Sequence, residues 1–333
     1  MPDVSPGPAR GAAAGEAVDL RVTLGPFQLR TPVLLASGCC GYGPELAGAL
    51  PLEEIGGFVT KTVTREPRSG NAPPRVAETP GGMLNSIGLE NVGLERFVAD
   101  KLPRIAVLPP LRVVSLGGYA PQDYGALAER LDPLPGFDAF ELNLSCPNVA
   151  RGGLDLGTDP RRVAEAVGAV RARTARFVIA KLTPNTHDIL ALGRAAAEAG
   201  ADAVSAINTL VGSAVHWKSR APLPAPGAGG LSGPAVRPVA LAAVRRLAGA
   251  LRVPVIGVGG ISEARDVLEF LLAGAAAVQV GTALFLDPSG EAVRAGALER
   301  ALREAGAAGC ARLIGRLRPA RAAAPERAPQ EGG

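Results

Sequence analysis

The chain has 333 residues, 47% of them apolar and 4% aromatic, and a net charge of +4. Beyond Ala311, Arg312, Arg316, Arg318, Arg321 and Arg327 face only Glu326 and Glu331, so most of the surplus charge lies in that tail and the remainder is nearly neutral. Without basic patches interleaved with aromatics a nucleic-acid binder is excluded, and no run reaches the roughly 18 apolar residues of a membrane helix.

In chain order, residues 1–17 are Ala, Gly and Pro without periodicity and read as a disordered tail, as do residues 316–333. A single domain is expected between them, over 18–315, because barrels of alternating strands and helices reach this length as one unit. It opens with a hairpin pattern, RVTLGPFQL from Arg21 to Leu29. Eight apolar runs follow: PVLLAS from Pro32, GGFVTKT from Gly56, LRVVSLGG from Leu111, DAFELNLS from Asp138, RFVIAKL from Arg176, DAVSAIN from Asp202, VPVIGVGG from Val253 and AAVQVGT from Ala276. The segments between them are mostly Ala-rich and helical. DPRRVAEAVGAVRART and SEARDVLEFLLAG carry apolar residues at helical spacing, each after an Asp or Ser suited to capping. Eight strand-helix units in series predict an α/β fold, a closed parallel (β/α)8 TIM barrel with the hairpin plugging its bottom.

The cysteines, Cys39, Cys40, Cys146 and Cys310, show no C-x-x-C spacing, and only His187 and His216 could join them as ligands, so neither a disulfide framework nor a metal site is signalled. The N-terminus lacks a charged start before an apolar core, so a cytoplasmic protein is expected.

In such barrels the chemistry sits where strands end. The ends here are Ser37-Gly38, Lys61-Thr62, Ser115, Asn143, Lys181, Asn208, Gly259-Gly260 and Gly281-Thr282. Taken singly, each reads as a turn or cap. Two lysines at the ends of buried strands demand an anion, because a buried ammonium is costly alone. The last two ends, VGG and VGT, occupy the loops that usually hold a phosphate on backbone N–H groups. GVGGIS, from Gly257, lacks the third glycine of a dinucleotide fingerprint and closes a seventh strand, so a Rossmann reading is rejected.

Asn85, Asn143, Asn148 and Asn208 each offer an acceptor and two donors. Together they suit a flat ring edged with C=O and N–H groups, such as a pyrimidine dione, with Lys61 pairing a ring carboxylate and Lys181 offsetting negative charge on a reduced cofactor. Cys146, in the polar loop of ELNLSCPN, reads as a buried apolar thiol or as a base for a weakly acidic carbon proton. Two other readings keep the barrel: Lys181 as a Schiff-base nucleophile, or a catalytically silent binding subunit.

Motifs from about Leu20 to Phe285 resemble the dihydroorotate dehydrogenase family, specifically the class 1B catalytic subunit. They are ASGCCGYG, TKTVTREPRSGNAPPRVAET, GGMLNSIGLENVG, ELNLSCPNVARGG, AKLTPN, AINTLVG, GGLSGPAVRPVAL and VIGVGGI. The resemblance implies oxidation of dihydroorotate to orotate in pyrimidine biosynthesis, with hydride passing to FMN, one FMN per chain. It makes Cys146 the general base, and Lys61, Asn85, Ser86, Ile87, Gly88, Leu89, Asn143, Asn148, Asn208 and Thr209 the substrate contacts. The FMN contacts it implies are Ser37, Lys61, Thr62, Ser115, Asn143, Lys181, Ile207, Gly233, Gly259, Gly260, Gly281 and Thr282, the last four at the phosphate. VARGG after Cys146 is the implied lid. The resemblance also implies a homodimeric core with a partner subunit carrying FAD and a 2Fe-2S cluster, through which electrons reach NAD. Family members usually have asparagine where Ser115 stands and an acid where His216 stands.

Overall fold

Runs covered on both faces read as unbroken apolar stretches, whereas a half-covered hairpin alternates. The computed structural model describes residues 18–46, 48–145, 156–288 and 290–318. It begins with the hairpin β1 (Val22–Leu24) and β2 (Phe27–Leu29), antiparallel with Val22 opposite Leu29. Eight parallel strands then form a closed barrel in the order β3 (Val33–Leu35), β4 (Gly57–Val59), β7 (Leu111–Leu116), β8 (Ala139–Asn143), β9 (Phe177–Leu182), β10 (Ala203–Ala206), β15 (Val255–Val258) and β16 (Ala277–Val280). β16 returns to β3 through Val278 opposite Val33, Gln279 opposite Leu34 and Val280 opposite Leu35. The eight apolar runs are these strands, and every residue of β3, β4, β9, β10, β15 and β16 is buried.

The hairpin closes the N-terminal end of the barrel, as expected. The Phe27 ring meets Phe177, first residue of β9, edge-on at 5.4 Å between centroids. Gly25 turns the hairpin at φ +54°, and a Cβ there would lie 2.2 Å from the Phe177 ring, so the approach admits glycine alone.

Helices line the outside. α1 (Leu94–Arg96) and α2 (Leu102–Ile105) are joined by a π turn, and α3 (Pro121–Leu131), α4 (Pro160–Arg171), α5 (Ile189–Glu198), α6 (Arg237–Ala248), α7 (Ala264–Leu272), α8 (Ala283–Leu286) and α9 (Ala295–Glu304) follow. α4 shows why they form: Asp159 accepts the Arg161 N–H at 2.9 Å as an N-cap, and Val163, Ala166, Val167 and Val170 make one buried stripe. No helix among the described residues is long and apolar enough to cross a membrane.

Three features depart from expectation. After β3 the described residues hold only a 3₁₀ turn, Pro44–Leu46, where a helix was expected, because Pro44, Gly48 and Pro51 break any helical period. At α7 the capping residue is Glu263, and the carboxylate of Asp266 folds back to accept the N–H groups of Ser262 and Glu263 and the Ser262 hydroxyl. Last, the segments after the second and sixth barrel strands are extended. β5 (Val76–Thr79) and β6 (Gly82–Asn85) join β11 (Leu210–Gly212) and β14 (Gly229–Ser232) in one antiparallel sheet, ordered β11-β14-β6-β5. A further hairpin, β12 (Ala214–His216) with β13 (Ala221–Leu223), occupies the proline-rich stretch between β11 and β14.

The C-terminal segment is tied to the start of the domain by the Cys310 N–H, which donates to the Asp19 carbonyl at 2.9 Å. Burial, helped by the nearby Asp19 carboxylate, pushes the Cys310 thiol from 9.0 up to about 12. Between those pH values the unfolded chain has released a proton that the folded chain keeps, so stability falls as pH rises. Urea titrations from pH 8 upward should show that fall above pH 9, by up to about 1.4 kcal/mol per pH unit for one thiol. Cys310→Ala should flatten the slope; an unchanged slope would mean that this thiol is not the group responsible.

Candidate active site

Because the barrel is parallel and closed, residues that follow its strands meet on one rim. The first link is between strands one and two. Ser37, after β3, donates its hydroxyl to the Thr60 carbonyl at 2.8 Å and lies 3.4 Å from the Thr62 hydroxyl. Thr62 in turn stands 2.9 Å from the Ser115 hydroxyl of β7 and accepts the Asn143 amide at 3.3 Å. Asn143 ends β8, and its Oδ1 accepts the Asn208 amide at 3.1 Å. Asn208 follows β10 and folds its own Oδ1 onto the Thr209 N–H at 2.9 Å. A continuous polar chain, Ser37–Thr62–Asn143–Asn208–Thr209, therefore runs across the rim. Ser115 is fully buried beneath Thr62, so its hydroxyl supports the chain from below.

The mouth sheet supplies a second wall. Asn85, the last residue of β6, lies opposite Gly230 of β14 and donates to its carbonyl at 3.3 Å. A Cβ on Gly230 would lie 2.1 Å from the Thr209 hydroxyl, so only glycine lets these two strand ends touch. Ser86 and Ile87 are held by Asn71, which donates its amide to the Ser86 hydroxyl at 3.0 Å and its N–H to the Ile87 carbonyl at 2.9 Å. Gly88 at φ +75° and Leu89 at φ +55° then turn the chain back.

The two lysines differ. Lys61 is half-exposed, with Glu90 Oε2 at 4.0 Å, and Arg75 holds the same carboxylate oxygen at 2.5 Å. Lys181 is 6% exposed. Its ammonium donates to Gln279 Oε1 at 3.2 Å and faces Glu141 Oε1 at 3.7 Å. The anion that a buried lysine requires is thus a carboxylate of the protein itself.

On the opposite arc, Gly259 and Gly260 adopt φ +122° and +78°. A Cβ on Gly259 would press on Ile207 at 3.3 Å, and one on Gly260 would meet the Arg237 backbone N at 2.7 Å. Ile207 is buried, its N–H on the Val258 carbonyl. Gly281 approaches Cys39 Sγ to 3.3 Å, measured from where its Cβ would stand, and Thr282 precedes α8. Gly233, at φ +96°, crosses the Gly82 backbone so closely that a Cβ would lie 2.6 Å from it. At Gly233 and Gly260 glycine is required by close packing against the protein's own atoms. Burial pushes the Cys39 thiol up to about 11, with Lys181 pulling weakly the other way, so Cys39 stays protonated at neutral pH.

The substrate and cofactor residues expected from the sequence lie on this rim, in the sheet above it or, for Ser115 and Lys181, buried just beneath it, except Cys146 and Asn148, which with the VARGG segment fall outside the described residues. Sequence reasoning passed over several supports: Glu90 facing Lys61, Glu141 and Gln279 beneath Lys181, and Asn185, which donates to the Thr209 carbonyl at 3.0 Å and accepts the Val211 N–H at 2.9 Å. Glu141 had a signal, an acid two residues before Asn143 and therefore on the same face of the strand. At the opposite end of the barrel a depression of about 530 Å³ lies against Gly25, Phe27, Asp138, Arg176 and Asp202. Asp138 and Asp202 are already paired with Arg112 and Arg171, which leaves it without free chemistry on those carboxylates.

The sequence profile of the family described as dihydroorotate dehydrogenase matches residues 19–294. A protein of Pelobacter propionicus named dihydroorotate dehydrogenase B (NAD(+)), catalytic subunit, is 50% identical over 299 residues, covering 90% of this chain and 98% of its own. Proteins of the same name from Geotalea daltonii and Geotalea uraniireducens are 49% and 50% identical, each covering 90% of this chain and 98% of the relative.

Proposed function

The chain belongs to the dihydroorotate dehydrogenase family, and from that premise we propose that it is the catalytic subunit of an enzyme of pyrimidine biosynthesis that oxidises dihydroorotate to orotate. The observation that carries the reading is the hydrogen-bonded pair of Asn143 and Asn208 on the rim, with Lys61 on one side and the glycine arc on the other. Amides held in that way recognise a ring whose edge alternates carbonyl and N–H groups.

The residues present fit FMN. Gly259 and Gly260, both at positive φ, and Gly281 with Thr282 follow the last two barrel strands and would meet the phosphate through backbone N–H groups, while Ser37, Thr62, Asn143, Lys181, Ile207 and Gly233 would meet the ring system, with Ser115 bracing Thr62. When bound, FMN supplies the hydride acceptor for C6 of the substrate. Lys61 pairs with the substrate carboxylate. Asn85, the Ser86–Leu89 turn, Asn143, Asn148, Asn208 and Thr209 orient the ring. The Cys146 thiolate takes the proton from C5, and the electron pair left behind becomes the C5–C6 double bond of orotate. A cysteine suits this step because its ordinary pKa, near 8.5, lies close enough to neutrality for a thiolate to form beside cations.

We read residues 18–315 as the catalytic unit and the protein as cytoplasmic. The relatives' shared name, NAD(+)-linked and a catalytic subunit, supports NAD as the acceptor and a partner subunit; the homodimeric core and a partner carrying FAD and a 2Fe-2S cluster rest on the family resemblance of the motifs. A Schiff-base role for Lys181 is disfavoured, because its side chain is buried and its nitrogen is already engaged by Gln279 and Glu141.

The purified protein should bind FMN, turn yellow, and lose that colour anaerobically on addition of dihydroorotate; protein that stays colourless with FMN in excess would refute the assignment. Cys146→Ala should remain yellow while flavin reduction slows by about 10²–10⁴-fold, the usual contribution of a general base. An undiminished rate would remove Cys146 from that role. Gly260→Ala, whose Cβ would press on the Arg237 backbone, should reshape this turn and weaken FMN binding at least tenfold by fluorescence titration; retained affinity would show that the phosphate lies elsewhere.

A further inference from the structure

Barrels of this kind usually fill their interior with bulky branched side chains. Here one region holds a closed polar cluster. Glu141, wholly buried, accepts the Ser205 hydroxyl at 2.9 Å and the Gln279 amide at 2.5 Å, both on Oε2. Its Oε1 accepts no hydrogen bond among the described residues and faces the Lys181 ammonium at 3.7 Å. Gln279 also accepts from Lys181 through Oε1, so its amide joins the two charges. Four strands, β8, β9, β10 and β16, converge on this one carboxylate. An ionised carboxylate removed from water is costly, and a hydrophobic replacement of a buried pair is often no less stable. The arrangement therefore asks for a purpose beyond packing.

Direction supplies one. On the β8–β9 ladder Asn143 lies opposite Lys181, and Glu141 lies opposite Ile179. Lys181 is thus two residues, about 6.6 Å, nearer the rim along the strand than Glu141. The cation lies toward the mouth and the anion beneath it. Resting on the FMN reading above, we propose that Glu141 is a positioning residue: it anchors the Lys181 ammonium toward the flavin and offsets part of its positive charge, so that the bound flavin is kept less oxidising than an unopposed lysine would make it. Ser205 and Gln279 hold the second carboxylate oxygen and thereby aim the first. The charge of Lys181 also reaches Cys39, whose sulfur packs against Gly281 on the rim, so its influence extends to the wall of the proposed cofactor site.

The test measures the midpoint potential of FMN bound to wild type and variants at one fixed pH. Glu141→Gln keeps the shape of the side chain and removes its charge. It should shift the equilibrium toward reduced flavin at least tenfold, which for a two-electron couple is a rise of about 30 mV. Glu141→Asp, which keeps the charge, should stay within that interval of wild type. The double variant Glu141→Gln/Lys181→Met leaves a neutral core and should fall below wild type, because the nearer positive charge is gone; it carries the test should Glu141→Gln alone not fold. A yellow Glu141→Gln protein with unchanged or lowered potential, or a double variant unchanged from wild type, overturns the inference while leaving the function intact. Wild-type protein that takes up no FMN overturns the functional reading and this inference with it.

Discussion

The return of β16 onto β3 closes the parallel sheet, and the site depends on that closure more than on any other contact. Once the sheet is a ring, the C-terminal ends of eight strands form one rim, and side chains remote in sequence come within hydrogen-bond reach. Asn143 lies 81 residues from Thr62 and 65 from Asn208, yet its amide bridges both. Register matters equally. Side chains alternate between faces, so a one-residue slip of β8 would turn Asn143 and Glu141 out of the barrel together.

A second, smaller assembly lies on the first. The antiparallel pairing of β6 with β14 ties the segment after the second barrel strand to the segment after the sixth, and so brings Asn85 onto Gly230, which itself abuts Thr209. Glycine makes the crossing possible. At Gly230 and Gly233 the opposing backbone or hydroxyl stands where a side chain would begin. Supports outside the rim do comparable work: Asp266 gathers the N–H groups that follow the Gly259–Gly260 turn, and Asn185 holds both sides of Thr209 and Leu210.

The electrostatics are layered by depth. Lys61, half in solvent, shares Glu90 with Arg75, and a pair so exposed contributes little to stability. Its charge remains available to a ligand. Lys181, deep in the barrel, has a carboxylate and an amide of its own. Two lysines that look equivalent at strand ends therefore sit in different surroundings, one half-exposed beside a shared carboxylate and the other buried with a counter-charge of its own.

Much was legible in the sequence because it depends on local chemistry. Continuous apolar runs mark strands covered on both faces, Asp159 before a 3.6-period stripe marks a helix start, and polar or glycine residues mark the eight strand ends that meet on one rim; all of these were legible in the sequence. The mouth sheet escaped notice because its strands are three or four residues long and only half-buried, too short for their alternation to stand out from turns. The 3₁₀ turn that the described residues show after the first barrel strand, in place of a helix, was hidden by the regularity of the units around it. By itself the sequence determined the barrel, the identity of the rim residues and the need of a buried lysine for an anion, since these follow from periodicity and from the cost of burying charge. Only the tertiary structure decided which anion that is, which lysine stays open to solvent and which amides touch, because those outcomes depend on strand register and ring closure, which bring together residues that no local pattern connects.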